Sequence, residues 1–564
     1  MKPGKSVGAE QRFRPNVSTY VLLSLAFIIV NLATLSNLAP WIDEVMMLDT
    51  SYNAAFHGRW ETTAWYRVVG EYPFSTYPPL YQMTATVWMW LFGGSLVVVR
   101  SLNLLIAFVL GGICLRLMRR YGLKLTLWTT ALFTLLFWGT SEMAWMYRNG
   151  RPDMLGALVA SLTILAIDHY LRAKSKATGR RAKLGNLPAR MAVVACSALL
   201  FCSAIQAAVY LFALWLFFFI VMKSRRKTVV TLLPLLLAGF MLGLFLVSLF
   251  MLVWCRLEAF VCSLVQYSAT LSDMALAVLP WVGSVLDFDV SPYMQKLSEL
   301  TTDRSLAARF ASMAEYRSFL ILSAITLTAY ATSRSARRDA CQSKNTQHPT
   351  PSLRRLFGDE GFLLLLCALY VPFFMNLAGR FAPYYRWMAF LPLLFSVVSM
   401  AGRSRLWCAL YGLVAVIMSV FGIRSMLHDE RLRVGERSSG INEQIRSFVQ
   451  RQHFSPSDAV VCPFSVFYDI KPVCDTCYFV GIFPTEYISH VDYIIEAPDG
   501  DERLRERLRV GAIAGMGERS SGIFDKPITE YVNKLKADTT ITLTVIDHQA
   551  HPSLTLYQVK KKNE

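Results

Sequence analysis

The sequence predicts a polytopic α-helical membrane protein that ends in a small soluble α/β domain. Of its 564 residues, 54% are hydrophobic and 17% are charged, whereas soluble proteins carry about 25% charged residues. Apolar runs of about 20 residues, the length that crosses a bilayer as a helix, recur as far as residue 424. Beyond that point the runs shrink to the length of β-strands. We therefore predict two domains, 1–424 in the membrane and 425–564 outside it.

The first apolar run places the N-terminus in the cytoplasm. The run from Ser18 to Leu38 is too long for a signal-peptide core and lacks a small-residue cleavage site, so we expect a retained membrane helix over 18–40. Lys and Arg precede it and then concentrate in alternate short loops, as in cytoplasmic loops. The net charge of +18 therefore reflects topology. No basic stretch is interleaved with aromatic residues, so nucleic acid is excluded as a partner.

The same charge rule predicts about eleven membrane-spanning helices and an extracytoplasmic C-terminus. A further helix over 79–93 would reverse the charge pattern if it crossed the membrane, because Arg116 and Arg119 would then lie outside. It is predicted to lie in the outer interface, within an outer loop of 41–96, and a second amphipathic outer segment is predicted over 255–314. The predicted spans are 18–40, 97–117, 125–142, 153–171, 191–206, 208–222, 228–254, 316–332, 361–377, 387–401 and 406–424.

The C-terminal domain combines short strands with amphipathic helices. Its cysteines are Cys462, Cys474 and Cys477, and the last two form a C-x-x-C pair. No second pair or nearby histidine completes a zinc site. We expect a disulfide among the three if the domain is exported, with free thiols as the alternative. The predicted strands are 459–462, 491–495, 541–546 and 554–559, and the predicted helices are 441–452 and 526–537.

An acidic pair, Asp43 and Glu44, stands where the first membrane helix should end. Carboxylates are costly to hold at a membrane surface, so the pair is a functional candidate. Adjacent helix residues point about 100° apart, so one of the two would face a given site. Asp43 directly follows the predicted helix and is the stronger candidate for a general base or a metal ligand. Solvation of the helix end is the alternative.

A second cluster surrounds Asp153 on the same predicted side of the membrane. Asp153 opens a predicted helix behind Pro152, where the helix dipole favours a carboxylate, so capping is one explanation. Arg148 and Arg151 lie close by in an outer loop. Cations kept outside against the charge bias indicate an anionic ligand such as a phosphate.

Two aromatic segments complete the candidate site. Arg380, Tyr384 and Arg386 lie in an outer loop and suit a lipid phosphate and a sugar ring, although Tyr and Arg also anchor helices at headgroup level. Tyr77 and Tyr81 flank a Pro-Pro turn that breaks the helix. We expect both tyrosines to contact substrate, with a purely structural turn as the alternative.

These motifs resemble the GT-C glycosyltransferases in their order and sidedness. The shared features are the acidic pair after the first helix, the Tyr-Pro-Pro-Leu-Tyr turn ending at Tyr81, an Arg near the second helix and the Arg-containing segment that leads to Asp153. The likeness covers about residues 18–400. The chain resembles in particular the glycosyltransferase family 39-like branch, which includes protein O-mannosyltransferases and lipid A aminoarabinose transferases.

The resemblance implies a sugar donor on a polyprenyl phosphate. It implies an acceptor hydroxyl or phosphate outside the cytoplasm, on a protein, lipid A or a glycan, and a bacterial inner membrane with the C-terminal domain in the periplasm. Asp43 matches the family's first-loop catalytic acid and Asp153 a second outer acid. Tyr77 stands where many members have His. No cofactor is certain, and a divalent metal at Asp43 and Asp153 is left open.

Two other functions fit a polytopic chain. A flippase or transporter of lipid-linked sugars would need charged or broken helices at mid-membrane, whereas the acids here cluster at one face. An O-antigen polymerase or ligase would need a large outer loop late in the chain, whereas the acids here lie early. A transferase acting at the membrane surface explains both acidic clusters.

Overall fold

The computed structural model is mostly helical and carries a small sheet at its C-terminal end. It describes residues 14–35, 42–64, 77–176, 187–221, 226–254, 317–342, 359–377, 385–437, 441–463, 466–479, 488, 490–496, 528–538, 540–550 and 553–561.

The apolar part of the chain forms helices at every predicted span. Its helices are α1 (Arg14–Thr34), α2 (Ile42–Phe56), α3 (Leu80–Phe92), α4 (Leu96–Arg120), α5 (Leu127–Gly139), α6 (Ser141–Tyr147), α7 (Asp153–Lys176), α8 (Leu187–Ser203), α9 (Ile205–Val221), α10 (Arg226–Val230), α11 (Leu233–Trp254), α12 (Arg317–Gln342), α13 (Glu360–Leu377), α14 (Trp387–Ala401) and α15 (Arg405–Arg437).

Within the described residues, five segments are long and apolar enough to cross a membrane, which indicates a membrane location. They are Val17–Thr34, Leu96–Arg120, Asp153–Lys174, Arg226–Trp254 and Arg405–Arg424. The apolar helices α5, α8, α9, α13 and α14 are shorter. The eleven-span count and its sidedness therefore stay predictions. The predicted outer segment 255–314 lies outside the described residues.

Local sequence signals set the boundaries of the long helices. The side chain of Ser95 accepts a hydrogen bond from the Val98 N–H and caps α4. Arg119 and Arg120 occupy the last turn of α4, where cations interact favourably with the helix dipole. Thr126 and Thr129 form a reciprocal capping box at the start of α5. These caps separate α4 from α5 without a long connection.

The predicted outer loop 41–96 contains a helix that the sequence pattern did not predict. We expected the first membrane helix to reach residue 40, with Asp43 at its end. Instead α1 ends at Thr34 and α2 begins at Ile42, so Asp43 and Glu44 lie in the first turn of a new helix. α2 is buried on two faces: Leu48 and Tyr52 join the core of the helical bundle, while other residues join a second core described below.

The predicted interfacial helix 79–93 is observed as α3. Its 13 residues span about 20 Å, too short to cross a bilayer core of about 30 Å. One face is buried against α2 and α4, and the hydroxyl of Ser51 on α2 donates to the Gln82 carbonyl at 3.0 Å. The opposite face exposes large apolar side chains, including Val87 and Trp90. A short helix with one bare apolar face suits a membrane interface.

The C-terminal part forms a five-stranded mixed sheet with the strand order β2-β1-β3-β5-β4. β1 pairs in parallel with β2 and β3, while β5 pairs antiparallel with β3 and β4. Four strands and two helices match predicted elements; β2 and the short helix α17 were not predicted. The elements are α16 (Ile441–Arg451), β1 (Ala459–Cys462), α17 (Phe467–Ile470), β2 (Thr476–Phe479), β3 (Tyr493–Glu496), α18 (Ile528–Lys536), β4 (Ile541–Gln549) and β5 (Leu554–Lys561).

The core of this sheet extends into the outer loop of the helical part. Val45 and Met47 of α2, together with Ala64 and Tyr77, are buried in the same apolar cluster as Val460 and the other strand residues. The two predicted domains therefore share α2: one face packs on the bundle and another on the sheet.

The three cysteines of this domain are buried free thiols, the alternative to the expected disulfide. The Cys477 thiol lies on β2 and faces the Cys474 carbonyl oxygen at 3.6 Å. Burial raises the pKa of Cys474 to about 12, so this thiol stays protonated and unreactive at neutral pH.

Asp469, on α17, links the stability of the C-terminal domain to pH. Its Oδ1 lies 3.7 Å from the Arg446 Nε. Burial raises the pKa of Asp469 to about 6, although Arg446 opposes this, and the pKa of an unfolded aspartate is about 3.9. The native state thus holds this proton more tightly than the unfolded chain. The contribution of Asp469 to stability therefore falls as pH rises from about 4 to about 6, and the penalty persists above pH 6.

Replacing Asp469 by Asn removes this ionisation. We expect Asp469→Asn to stabilise the protein by about 1–3 kcal/mol at about pH 7.5 and to leave it unchanged near pH 4. Thermal unfolding of the full chain in detergent at both pH values measures this. Asp538→Asn is the matched control, because its side-chain oxygen can keep the hydrogen bond from the Thr540 N–H. A destabilised Asp469→Asn variant at pH 7.5 would contradict the account.

Candidate functional site

A buried ion pair between Glu44 and Arg100 lies at the centre of the candidate site. The Arg100 Nε donates to Glu44 Oε1 at 2.8 Å and its Nη2 to Oε2 at 2.7 Å. Both side chains are fully buried. The Gly150 N–H also donates to Glu44 Oε1 at 2.7 Å, and the Arg100 Nη1 donates to the Leu35 carbonyl at 2.8 Å. One ion pair thus joins the end of α1, the start of α2, the start of α4 and the loop before α7.

This geometry gives Glu44 an organising role. Each of its oxygens accepts a hydrogen bond from the guanidinium, a bidentate arrangement that fixes orientation as well as charge. A buried pair of this kind gains little net stability from its charges, but losing one partner leaves the other charge buried and uncompensated. Glu44 was predicted alongside Asp43 as a catalytic acid. Its contacts with Arg100 favour a structural role.

Neighbouring polar groups hold the loop 148–152 in place. The side-chain amide of Asn103 on α4 donates to the Arg151 carbonyl at 2.9 Å and also to the Asn149 carbonyl. The Arg148 Nη2 donates to the Thr34 carbonyl at 3.3 Å. A Cβ at Gly150 would lie 2.8 Å from Glu44 Oε1 and closer still to a leucine methyl, so the backbone approaches the carboxylate as only glycine allows.

Arg151, Asp153 and Tyr77 form a second buried group on this loop. The Arg151 Nε donates to Asp153 Oδ2 at 2.8 Å, and both side chains are almost completely buried. The Arg151 Nη2 donates to the Tyr77 hydroxyl at 3.1 Å, and its guanidinium carbon lies 5.7 Å from the centre of that ring. Asp153 is also the first residue of α7, so its carboxylate lies in the first turn, where the helix dipole favours it, and pairs with a cation.

Tyr81 lies within electrostatic range of both carboxylates. It is buried at the start of α3. Burial raises the pKa of its phenol well above the ordinary value, and the negative charges of Glu44 and Asp153 raise it further. The phenol therefore remains protonated, as a donor close to both acids.

The structure brings together six of the predicted site residues: Glu44, Tyr77, Tyr81, Arg148, Arg151 and Asp153. Asp43 lies beside Glu44 in the first turn of α2, but its side chain is outside the described part of the chain. Arg386 is buried immediately before α14. Arg380 and Tyr384 lie outside the described residues.

The described part of the site shows no set of metal ligands. Asp153 faces a guanidinium, and among the described residues no group of three His, Cys, Asp or Glu side chains could hold a metal ion. A divalent metal at Asp43 and Asp153 stays a prediction.

Four residues that the sequence analysis did not assign contribute to the site or its support. Arg100 stands inside an apolar helix, where a charge marks a functional position, so a signal for it existed. Asn103 follows one turn later on the same helix face. Asp49 and Lys471 form a second fully buried ion pair at 2.8 Å. They lie far apart in the chain, so no local pattern could pair them.

The comparisons with known proteins return structures only. No family model and no curated protein matches the sequence. ArnT from Cupriavidus metallidurans bound to undecaprenyl phosphate aligns at 11% identity and a TM-score of 0.39, covering 95% of this chain and 97% of that one. The Archaeoglobus fulgidus oligosaccharyltransferase tethered to an acceptor peptide containing the NVT sequon aligns at 12% identity and 0.49, covering 89% and 71%. The apo form of the same oligosaccharyltransferase aligns at 11% identity and a TM-score of 0.47, covering 88% of this chain and 71% of that one.

Both proteins are members of the GT-C superfamily, the group that the sequence motifs resemble. With identities of 11–12% and TM-scores below 0.5, the function has to be argued from the residues of this chain.

The Glu44–Arg100 pair can be tested by a double-mutant cycle. We expect Glu44→Gln and Arg100→Met each to destabilise the full chain by about 3–5 kcal/mol, because each leaves one buried partner uncompensated. The free energy of unfolding of the double variant should fall by less than the sum of the two single losses, with a difference of at least about 1 kcal/mol. Thermal unfolding in detergent measures all four proteins.

The control for this cycle is the Arg59–Glu61 pair, in which Arg59 is half exposed and the closest atoms lie 3.1 Å apart. Arg59→Met should cost less than about 1 kcal/mol. Strict additivity of Glu44→Gln and Arg100→Met would contradict a direct interaction between the two side chains.

Proposed function

We propose that the chain is a membrane glycosyltransferase that moves a sugar from a polyprenyl-phosphate donor to an acceptor outside the cytoplasm. One observation carries the proposal: two buried arginines, Arg148 and Arg151, share one short loop with Asp153, beside the acidic first turn of α2. A lipid-linked phosphate needs cations, and transfer to an acceptor needs a carboxylate. The site has both within one structural unit.

The phosphate of the donor is the ligand that we assign to Arg151. Its guanidinium is already oriented by Asp153 and Tyr77, and the planar guanidinium of an arginine matches the geometry of a phosphate. Arg148 lies three residues earlier on the same loop. Pre-oriented cations stabilise negative charge as it develops on a leaving phosphate, at no cost in reorganisation.

Asp43 is the proposed general base. In the reaction it takes the proton of an acceptor hydroxyl while the acceptor oxygen forms a bond to the anomeric carbon. The bond between that carbon and the phosphate oxygen breaks, and its electron pair leaves with the polyprenyl phosphate. An acceptor phosphate would arrive already deprotonated and would not need this base. Glu44 positions the first turn of α2 that carries Asp43.

The tyrosines and α3 are assigned to the rest of the substrate. Tyr81 offers a protonated phenol within electrostatic range of Glu44 and Asp153, suited to a sugar hydroxyl. The exposed apolar face of α3 lies next to the site and suits the polyprenyl chain and membrane lipid. Arg380, Tyr384 and Arg386 remain proposed contributors from the predicted outer loop before α14. Protein, lipid A and glycan all remain acceptors compatible with this site.

The donor assignment is tested by binding of undecaprenyl phosphate to the purified full chain. We expect Arg151→Gln to weaken binding at least about 10-fold, because a charge-assisted hydrogen bond is lost. Arg59→Gln removes an exposed arginine of the outer loop and should bind like the parent. A parent that binds no undecaprenyl phosphate, or an Arg151→Gln variant with unchanged affinity, would contradict the assignment.

The base assignment is tested by transfer from a panel of undecaprenyl-phosphate sugars to hydroxyl acceptors, followed as release of undecaprenyl phosphate. We expect Asp43→Asn to lower the rate by at least about 100-fold while donor binding is retained. Full activity of a folded Asp43→Asn variant would exclude Asp43 as the base.

A further inference from the structure

The C-terminal domain is held against α2 by a buried ion pair. The Lys471 Nζ lies 2.8 Å from Asp49 Oδ1, and neither side chain is exposed. The other carboxylate oxygen of Asp49 accepts hydrogen bonds from the Thr62 hydroxyl at 3.0 Å and from the N–H groups of Thr63 and Ala64 at 2.7 and 3.0 Å. Asp49 therefore fixes three parts of the protein at once: α2, the segment that follows it, and the C-terminal domain.

The edge of the sheet is joined to the same segment. The Thr63 hydroxyl donates to the Cys477 carbonyl at 2.9 Å, and the Cys477 N–H donates back to it at 3.3 Å. This covers backbone groups of the edge strand β2 that would otherwise lack a neighbouring strand. Together with the shared core of Val45 and Met47, these contacts fix the position of the C-terminal domain against α2.

Tyr468 packs against the shared apolar core, which contains Val45, the neighbour of Glu44, and Tyr77, the partner of Arg151. It precedes Lys471 by three residues on the turn formed by α17, a spacing that places both side chains on one face. The Lys471–Asp49 contact therefore holds the turn that carries Tyr468 against α2.

Tyr468 is a partly buried residue whose hydroxyl oxygen is buried and has no observed hydrogen-bond partner among the residues that the structure describes. Burial raises the pKa of Tyr468, the negative charge of Glu44 raises it further, and Arg100 lowers it. The phenol therefore lies within the electrostatic reach of the central ion pair, as a protonated donor. A buried hydroxyl without a partner costs free energy unless a ligand supplies an acceptor.

We propose that Tyr468 is a substrate-binding residue contributed by the C-terminal domain, and that its phenol donates a hydrogen bond to an oxygen of the lipid-linked sugar. Lys471 is the positioning residue: its ion pair with Asp49 holds Tyr468 in place. This inference rests on the proposed function and adds a role for the C-terminal domain in binding the donor. The oxygen that accepts this hydrogen bond belongs either to the phosphate or to the sugar of the donor. The two possibilities predict different results in the measurements below.

The test compares Tyr468→Phe with the parent in undecaprenyl phosphate binding and in the KM and kcat of transfer. Loss of the phenol should raise KM for the donor about 5–10-fold with kcat within about 3-fold. If the partner is the phosphate, binding of undecaprenyl phosphate weakens by the same factor. If it is a sugar hydroxyl, that binding is unchanged and only KM rises. Tyr493→Phe, which removes a phenol from β3 of the same domain, should change neither.

Lys471 is tested by rescue. Lys471→Met should reproduce the rise in KM, and Lys471→Arg, which keeps the cation for Asp49, should restore KM to within about 3-fold of the parent. A purely structural role would lower the amount of folded protein and leave the KM of the folded fraction unchanged, which would overturn the positioning role.

Two failures are distinguishable. If the parent binds undecaprenyl phosphate and Tyr468→Phe changes neither binding nor KM, the role of Tyr468 is wrong and the proposed function stands. If the parent neither binds undecaprenyl phosphate nor transfers any sugar, the proposed function fails, and the role of Tyr468 fails with it.

Discussion

The buried ion pair between Glu44 and Arg100 is the interaction on which the candidate site depends. Two charges without exposure to water require a nearly complete set of partners. Satisfying Glu44 draws the backbone of Gly150 to within hydrogen-bonding distance, and satisfying Arg100 holds the end of α1. The positions of the first turn of α2 and of the loop carrying Arg151 therefore follow from one electrostatic requirement. Residues assigned to phosphate binding and to proton transfer are attached to the same rigid centre.

α2 connects this centre to the rest of the molecule because it is buried on two sides. Leu48 and Tyr52 belong to the core of the helical bundle, and Val45 and Met47 belong to the core of the C-terminal sheet. Its two acids, Glu44 and Asp49, each pair with a cation from a different part of the chain. The C-terminal domain is thus a structural component of the site, and substitutions in that domain would alter the position of α2.

Much of the fold follows from local pattern, whereas the site depends on distant contacts. The long apolar runs predicted the long helices, the charge bias predicted that 79–93 is separate from the spans, and short apolar runs predicted four strands. α2 was missed because its apolar residues serve two different cores and show no single stripe. Arg148 and Arg151 were expected to bind an anionic ligand, but Arg151 already pairs with Asp153 within the protein. Lys471 carried no local signal, because its partner lies more than four hundred residues away.

The most direct test of the central claim is a structure of the full chain with undecaprenyl phosphate bound, determined in a lipid nanodisc. The account predicts phosphate density in contact with the Arg151 guanidinium, beside the first turn of α2, with the polyprenyl chain running along the exposed face of α3. Phosphate density elsewhere would contradict it. One such place is the crevice lined by Tyr20, Arg116 and Arg119 at the other end of α4; density there would exclude loop 148–152 as the donor site.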